Sequence, residues 1–306
     1  MYKEVSSSSG LYNLISKEEI NKSISRVLNS EYDYNYVSNK GIKELRKEIV
    51  KFVDIKDITY HDILITNSSS ESIRLIASLL NKHDTILVEE HTYFGAKEIF
   101  NNLGLNVIDV KLNNDGIDTN DLKEKIDKYN PRMIYVIPTF NNPTGITWKN
   151  NVRKEFINVI KDKNIYVIED DPYSLLNYTN ESYEKLYNLD NKRVIYISSF
   201  SKYISPSFSV GYIIANKDIL DRLYISKRSE LGSNGFIQNV VLEYLKNNNL
   251  KELINKKVPL YKELIIKSKN YLNDNGYEIV YEISGGIFIL VSKDNEISRF
   301  NICYMK

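Results

Sequence analysis

Short runs of isoleucine, valine and tyrosine alternate with segments of helical periodicity through much of this chain, and this alternation restricts its fold more than any other feature. Runs such as ILIT, TILVEE and MIYVIPT are apolar nearly throughout rather than at every second position, which predicts strands buried on both faces of a largely parallel sheet. Helical segments such as SESIRLIASLL and TNDLKEKIDKY lie between them. The pattern predicts a large, doubly wound α/β domain over residues 41–215.

The two ends of the chain depart from this pattern. After residue 215 helical periodicity dominates, followed by YEIVYEI, a Gly-Gly doublet and IFILVS, which predict a smaller α+β domain over residues 216–306. Residues 1–40 are assigned to an N-terminal arm, because its opening MYKEVSSSSG is serine-rich and predicts no folded element. We expect the arm to complete the smaller domain, since chain ends often lie together in such folds.

Composition excludes several classes of partner and location. Lys and Arg total 41 against 40 Asp and Glu, so no basic field predicts binding to nucleic acid or to an anionic membrane. The apolar runs are far shorter than the roughly 20 residues that cross a bilayer. The single cysteine, Cys303, cannot form an intrachain disulfide, and no signal peptide is recognisable, so we expect a cytoplasmic protein. Three scattered histidines and one cysteine predict no metal site.

Polar residues follow five of the predicted strands at their carboxyl ends, where doubly wound sheets bind ligands. Each segment also has a structural interpretation: a serine N-cap, a core aromatic residue, a tight turn, an acidic surface turn or a solvated lysine. Their coincidence at one edge of one sheet favours a binding site, and serines opening a helix suit an anion such as phosphate. The segments are NSSS (67–70), HTY (91–93), FNNPTG (140–145), DDPY (170–173) and SSFSK (198–202).

With VEEHTYFGA, NNPTG, EDDPY and SFSK in this order, the chain resembles the class I/II aminotransferases, which are pyridoxal-phosphate (PLP) enzymes of fold type I. It is most similar to the branch that contains the aminoadipate and kynurenine aminotransferases and the aminotransferase-like halves of certain bacterial transcription regulators. The resemblance implies a pyridoxal 5'-phosphate cofactor and transfer of an amino group between an amino acid and a 2-oxo acid.

The resemblance also implies roles for individual residues. Lys202 matches the lysine that forms a Schiff base with the cofactor and moves the substrate's α-proton, and Asp170 matches the carboxylate that faces the pyridine nitrogen. Tyr36 matches a tyrosine that reaches the phosphate of the partner subunit's cofactor, which implies a homodimer. The other implied cofactor contacts are Tyr93 on the ring face, Asn142 and Tyr173 at the 3-oxygen, and Ser69, Ser70, Ser199 and Ser201 at the phosphate.

The chain differs from the family pattern at four residue positions and in one shortened segment. Ser209 stands where the family usually has a phosphate-binding arginine, which predicts weaker cofactor binding. Nearby glycines are replaced by Ser68 and Ser207, and His91 replaces a proline. The segment before the family's substrate-binding arginine is also shortened. Arg299 in SRFNICY resembles that arginine, and it is equally compatible with a solvated terminal side chain.

Three functions are therefore compatible with the sequence. An aminotransferase is favoured, because Lys202, Asp170, Asn142 and Tyr173 are all present. Decarboxylation or elimination on the same scaffold is the first alternative, since these motifs do not fix the orientation of the substrate. A non-catalytic ligand-binding relic with a weakened phosphate site is the second. The motifs do not specify which amino acid is the donor.

Overall fold

The structure is a computed structural model that describes residues 3–4, 15–31, 35–228 and 232–302. The helices of these ranges are α1 (Lys17–Leu28), α2 (Lys43–Phe52), α3 (Ser69–Ala77), α4 (Phe94–Asn102), α5 (Thr119–Tyr129), α6 (Asn150–Ile160), α7 (Leu186–Leu189), α8 (Lys217–Lys227), α9 (Gly235–Asn247) and α10 (Leu250–Asp274). The strands are β1 (Lys3–Glu4), β2 (Ile63–Thr66), β3 (Thr85–Glu89), β4 (Asn106–Val110), β5 (Leu112–Asn113), β6 (Gly116–Ile117), β7 (Met133–Val136), β8 (Tyr166–Asp170), β9 (Val194–Ser199), β10 (Gly211–Ile214), β11 (Glu278–Ile279), β12 (Phe288–Lys293) and β13 (Glu296–Asn301).

Seven strands form the central sheet in the order β2-β10-β9-β8-β7-β3-β4. Neighbouring strands are parallel except at β10, which runs antiparallel to both β2 and β9. Alternate residues of β7 enter two separate hydrophobic cores, with Ile134 and Val136 in one and Met133 and Tyr135 in the other. The predicted doubly wound, mostly parallel α/β fold is confirmed, including strands buried on both faces.

The direction of the strands determines where the candidate site lies. Strands β2, β3, β7, β8 and β9 all run the same way, so their carboxyl ends meet at one edge of the sheet. Each of the five polar segments singled out in the sequence follows one of these ends. The topology therefore brings residues from five distant parts of the chain to the same edge.

A second sheet has the order β1-β13-β12-β11. Strands β12 and β13 form a hairpin, and its two turn residues, Asp294 and Asn295, have φ of 54° and 64°, as two-residue hairpin turns require. Strand β1 pairs in parallel with β13, which corrects the prediction that the first ten residues contain no folded element. A strand of two residues is too short to give a periodic sequence pattern, so the sequence gave no sign of it.

Two helices connect the domains assigned from the sequence. Helix α1 lies within the range assigned to the arm, begins at a capping box of Ser16 and Glu19, and packs against α9. Helix α8, assigned to the smaller domain, packs against α3 and β2 of the central sheet. The division at residue 215 remains a prediction. Within the described ranges, no helix combines the length and apolar character that a bilayer span requires.

Candidate active site

A cavity of about 240 Å³ lies at the carboxyl edge of the central sheet. It is lined by residues from all five polar segments, together with the nearby Ile137, Pro206 and Ser209. Eight of the predicted site residues contribute to its wall, namely Ser69, Ser70, Tyr93, Asn142, Asp170, Tyr173, Ser201 and Lys202. The arrangement joins hydroxyl, phenol and amide groups with one ammonium and one carboxylate in a single space.

Asp170 ends strand β8 and is buried at the base of the cavity. Its Oδ2 accepts a hydrogen bond of 2.7 Å from the Tyr135 hydroxyl, whereas its Oδ1 is buried and has no hydrogen-bond partner among the described residues. Burial raises the pKa of Asp170 to about 7, while the hydrogen bond from Tyr135 and the charge of Lys202 act in the opposite direction. A buried carboxylate oxygen without a donor is costly, so this atom is suited to a ligand that donates.

Lys202 ends a single 3₁₀ turn, Phe200–Lys202, that follows β9 directly. The turn is fixed by the buried Phe200, whose backbone N–H donates to the carbonyl of Val210 at 2.9 Å. Ser199 does not line the cavity: it is buried, and its hydroxyl lies 2.7 Å from that of Ser201. Ser199 thus positions Ser201, which faces the cavity.

The loop that carries Asn142 is fixed by a buried carboxylate. Glu89 at the end of β3 accepts hydrogen bonds from the backbone N–H of Ile137 (2.8 Å), the Asn141 amide (2.8 Å) and the Trp148 indole (3.0 Å). Burial raises the pKa of Glu89 to about 7, and these donors oppose that rise. Glu89 was not among the residues predicted from the sequence, although an acidic residue in the otherwise apolar run TILVEE could have indicated a buried carboxylate.

Arg299 reaches the same loop from the second sheet. The β12–β13 hairpin brings its side chain to Asn142, and Nη1 donates to Oδ1 of Asn142 at 3.3 Å. The guanidinium also lies over the ring of Phe288, 5.2 Å from the centroid, and the residue is half-buried. The interpretation of Arg299 as a solvated terminal arginine is therefore wrong, because the shortened segment folds back as a tight hairpin.

Serine hydroxyls and the first turn of α3 form the end of the cavity expected to hold a phosphate. Ser68 caps the helix by accepting from the backbone N–H of Glu71 at 3.0 Å, while Ser69 and Ser70 begin the first turn. Strand β10 approaches this turn closely: a Cβ on Gly211 would lie 2.5 Å from the carbonyl carbon of Ser68. Such a helix N-terminus favours an anion.

Positive charge is sparse at this end of the cavity. Among the described residues that line it, Lys202 is the one lysine or arginine. Ser209 lines the wall and donates its hydroxyl to the carbonyl of Asn67 at 2.5 Å. Lys227 does not replace the missing arginine: it is buried away from the cavity, donates to the Ser233 hydroxyl (2.7 Å) and lies 3.4 Å from Glu71.

The two remaining aromatic predictions have different positions. Tyr93 lines the cavity beside Gly95, where a Cβ would lie 2.5 Å from the Tyr93 hydroxyl oxygen, so the absence of a side chain at Gly95 gives the phenol room. Tyr36 is 87% exposed and does not line the cavity of its own subunit. That exposure is compatible with a contact to another subunit.

Comparison with known proteins decides the family. The model of the family described as aminotransferase class I and II matches residues 8–300. The chain belongs to this family. The match includes the central sheet, the cavity and Arg299, so the resemblance carried by NNPTG and SFSK extends over nearly the whole of this chain. The predicted relationship to the aminoadipate and kynurenine aminotransferases is confirmed.

Three relatives illustrate this membership. Aromatic-amino-acid aminotransferase 1 of Thermococcus litoralis is 29% identical, over 90% of this chain and 68% of that protein. The crystal structure of Pyrococcus horikoshii kynurenine aminotransferase, in complex with PMP, superposes with a TM-score of 0.88 at 28% identity, covering 96% of this chain and 76% of that one. The HTH-type transcriptional regulator NorG of Staphylococcus aureus is 29% identical, over 89% of this chain and 62% of the regulator.

The family makes this aminotransferase a PLP-dependent enzyme of amino-group transfer, which confirms the predicted reaction class and cofactor. The residues present fit the cofactor. No residue in the described part of the chain donates to the buried Oδ1 of Asp170, which suits the donor of a protonated pyridine nitrogen, and the serine-lined first turn of α3 suits a phosphate. Lys202 and Asp170 line the same cavity, as a ring held between an amine and a carboxylate requires.

Proposed function

We propose that this aminotransferase moves an amino group between an amino acid and a 2-oxo acid in the cavity, with Lys202, Asp170 and Tyr173 as catalytic residues. The observation that carries the proposal is the presence in one cavity of Lys202 and of a buried Asp170 whose Oδ1 has no partner among the described residues. A structural carboxylate has its oxygens satisfied, as Glu89 does. The unpartnered Oδ1 supports a role for Asp170 in binding the ring.

When bound, pyridoxal phosphate supplies an electron sink that stabilises negative charge at the substrate α-carbon. Asp170 would hold the ring by accepting a hydrogen bond from its protonated nitrogen, which would maintain that sink. Lys202 would hold the cofactor covalently between turnovers, and its Nζ would take the substrate α-proton and return it to another carbon. Lys202 lines the same partly buried cavity as Asp170, and this position supports both tasks.

The remaining wall residues orient the cofactor. Tyr173 and Asn142 would hold the ring by hydrogen bonds to its 3-oxygen, and Tyr93 would hold it by stacking. Tyr173 is buried and held edge-on against Phe288, 5.6 Å between ring centroids, so its hydroxyl has a defined position. The phosphate is bound by Ser69, Ser70 and Ser201 together with the first turn of α3, while Ser199 acts through Ser201.

Arg299 binds the α-carboxylate of the substrate. Arginine suits this task because its planar guanidinium can donate two parallel hydrogen bonds to a carboxylate. The contact with Asn142 and the packing on Phe288 restrict the guanidinium to the neighbourhood of the cavity. A search for the donor should begin with aromatic amino acids and kynurenine, after which two of the relatives are named.

We further propose a cytoplasmic homodimer in which Tyr36 of each subunit contacts the phosphate of the other subunit's cofactor. The high exposure of Tyr36 in a single subunit supports this arrangement. The near-balance of charge supports a small-molecule substrate and no nucleic-acid partner.

The test is a single half-reaction with stoichiometric enzyme. Holoenzyme is mixed with one amino acid at a time, beginning with phenylalanine, kynurenine and aminoadipate, without a 2-oxo acid. The proposal predicts about one 2-oxo acid per subunit, loss of the visible cofactor absorbance, and its return when a 2-oxo acid is added. Release of carbon dioxide would instead indicate a decarboxylase, and release of ammonia a lyase. No product from any amino acid would indicate a ligand-binding relic.

A further inference from the structure

Tyr135 lies in the middle of the central sheet and touches the site through one atom. It is fully buried on β7, with its ring edge-on to Phe100 at 5.6 Å between centroids. Its hydroxyl donates to Oδ2 of Asp170 on the neighbouring strand at 2.7 Å. Phenylalanine would provide the same ring packing, and a buried hydroxyl is costly unless it is paired. The hydroxyl is therefore best explained by its bond to Asp170.

The bond affects the position of both carboxylate oxygens. A carboxylate is planar, so a fixed Oδ2 restricts where Oδ1 can lie. Oδ1 is the atom without a partner among the described residues, and Asp170 lines the cavity. Tyr135 therefore limits rotation of the one group proposed to meet the ring nitrogen.

We propose that Tyr135 is a positioning residue, which holds Oδ1 of Asp170 toward the cofactor ring and stabilises the carboxylate in its ionised form. This inference rests on the proposed role of Asp170 as the partner of the ring nitrogen. It adds a residue that the sequence motifs did not include.

The electrostatics of the base of the cavity support this role. Burial raises the pKa of Asp170, and the adjacent Asp171 raises it further. Two groups oppose these effects, namely the Tyr135 hydroxyl and the more distant charge of Lys202. The pKa of Tyr135 itself is well above its ordinary value because of burial, so its hydroxyl stays protonated and remains a donor.

The aspartate next to Asp170 provides a matched control. Tyr196 on β9 donates its hydroxyl to Oδ2 of Asp171 at 3.0 Å, so it forms the same kind of buried tyrosine–aspartate bond. Asp171 does not line the cavity, and its Oδ2 also lies 2.5 Å from the Lys185 ammonium. Removing the Tyr196 hydroxyl costs a comparable hydrogen bond without touching Asp170.

The experiment compares Tyr135→Phe with Tyr196→Phe by titrating the cofactor-free proteins with pyridoxal phosphate. A hydrogen bond to a charged group is typically worth about 1.5–3 kcal/mol, so we expect Tyr135→Phe to weaken binding by about 10-fold or more. Tyr196→Phe should change the dissociation constant by less than about 3-fold, although both should lower the melting temperature of the cofactor-free protein similarly. A purely structural role for Tyr135 predicts equal binding by the two variants.

A double-mutant cycle with Asp170→Asn separates this inference from the proposed function. If Tyr135 acts through Asp170, adding Tyr135→Phe to Asp170→Asn should weaken binding by less than about 3-fold. If Asp170→Asn itself leaves binding unchanged, the role of Asp170 is wrong and the inference fails with it. If Asp170→Asn weakens binding while Tyr135→Phe behaves like Tyr196→Phe, the inference alone is overturned.

Discussion

At the scale of single residues, the site contrasts two fully buried carboxyl groups at one edge of the sheet. Glu89 accepts three N–H hydrogen bonds and serves to fix the loop that carries Asn142. Asp170 accepts one O–H bond and keeps its second oxygen without a partner among the described residues. Equal burial thus accompanies different tasks, and the number of donors distinguishes them.

Replacing Asp170 should reveal the cost of keeping this charge buried without cofactor. Burial raises its pKa from 3.8 to about 7, so its contribution to the stability of the cofactor-free protein is fully present below pH 3.8 and is lost as the pH rises through about 7. Asp170→Asn removes this dependence. We expect the free energy of unfolding of Asp170→Asn, relative to that of the wild type, to rise by roughly 2 kcal/mol between pH 5 and pH 8.

Denaturant unfolding of both cofactor-free proteins at several pH values measures that difference. The exposed Asp162→Asn is the control and should follow the wild type. If the free energies of unfolding of Asp170→Asn and the wild type differ by a constant amount across this range, burial does not raise the pKa of Asp170 as described.

Adding an arginine at Ser209 should strengthen cofactor binding. Ser209 lines the cavity, where Lys202 is the one lysine or arginine among the described residues. A charge-assisted bond to the phosphate is worth about 1.5–3 kcal/mol, so Ser209→Arg should lower the dissociation constant of pyridoxal phosphate about 10- to 150-fold. The control is Ser207→Arg, which adds the same charge at an exposed position outside the cavity. Equal binding by both variants would show that serines complete the phosphate site.

At the scale of elements, the β12–β13 hairpin determines the position of the substrate end of the site. Its two-residue turn keeps β13 against β12, in the register that pairs Arg299 with Leu290. Arg299 is therefore placed by backbone pairing, and the contact with Asn142 joins the second sheet to the cofactor loop. A change at this arginine should affect the substrate more than the cofactor.

Arg299→Lys should raise the half-saturating concentration of the amino acid by about 10- to 100-fold, because an ammonium cannot reproduce the two parallel bonds of a guanidinium. The dissociation constant of pyridoxal phosphate should stay within about 3-fold of the wild type. Arg222→Lys, on the exposed side of α8, is the matched control. Equal losses of substrate and cofactor binding in Arg299→Lys would place the arginine in the support of the loop instead.

The sequence predicted these elements well where side chains carry a pattern. The strands that precede Asp170 and Lys202 are apolar runs, and a parallel sheet brings their ends together whatever the detailed packing. Tyr135 and Glu89 were missed because each lies inside an apolar run and looks like part of a strand. Their roles depend on which neighbour faces them across the sheet, which the order of residues along the chain does not reveal.

At the scale of the whole molecule, the account predicts a dimer with sites shared between subunits. Lys202→Ala and Tyr36→Phe subunits are to be mixed and refolded together. In a hybrid dimer one site then carries both defects, whereas the other has an intact Lys202 and an intact Tyr36 from its partner. We expect half of the hybrid sites to bind pyridoxal phosphate with wild-type affinity.

For this experiment the wild type must first be shown to sediment at twice the mass of one chain. Hybrids made with Tyr271→Phe, which changes a half-exposed tyrosine of α10, are the control for mixing. Hybrids in which no site regains wild-type affinity would mean that Tyr36 acts within its own subunit. A Tyr36→Phe homodimer that binds pyridoxal phosphate with wild-type affinity would mean that Tyr36 has no role at the phosphate.

Whether Lys202 carries the cofactor can be measured directly by trapping the covalent bond between them. Holoenzyme is reduced with borohydride, digested, and analysed by mass spectrometry for the lysine that gains the cofactor mass. We expect the peptide that contains Lys202 to be modified, with about one cofactor per subunit, and we expect no modified peptide in Lys202→Ala. A cofactor attached to any other lysine, or retained covalently by Lys202→Ala, would contradict it.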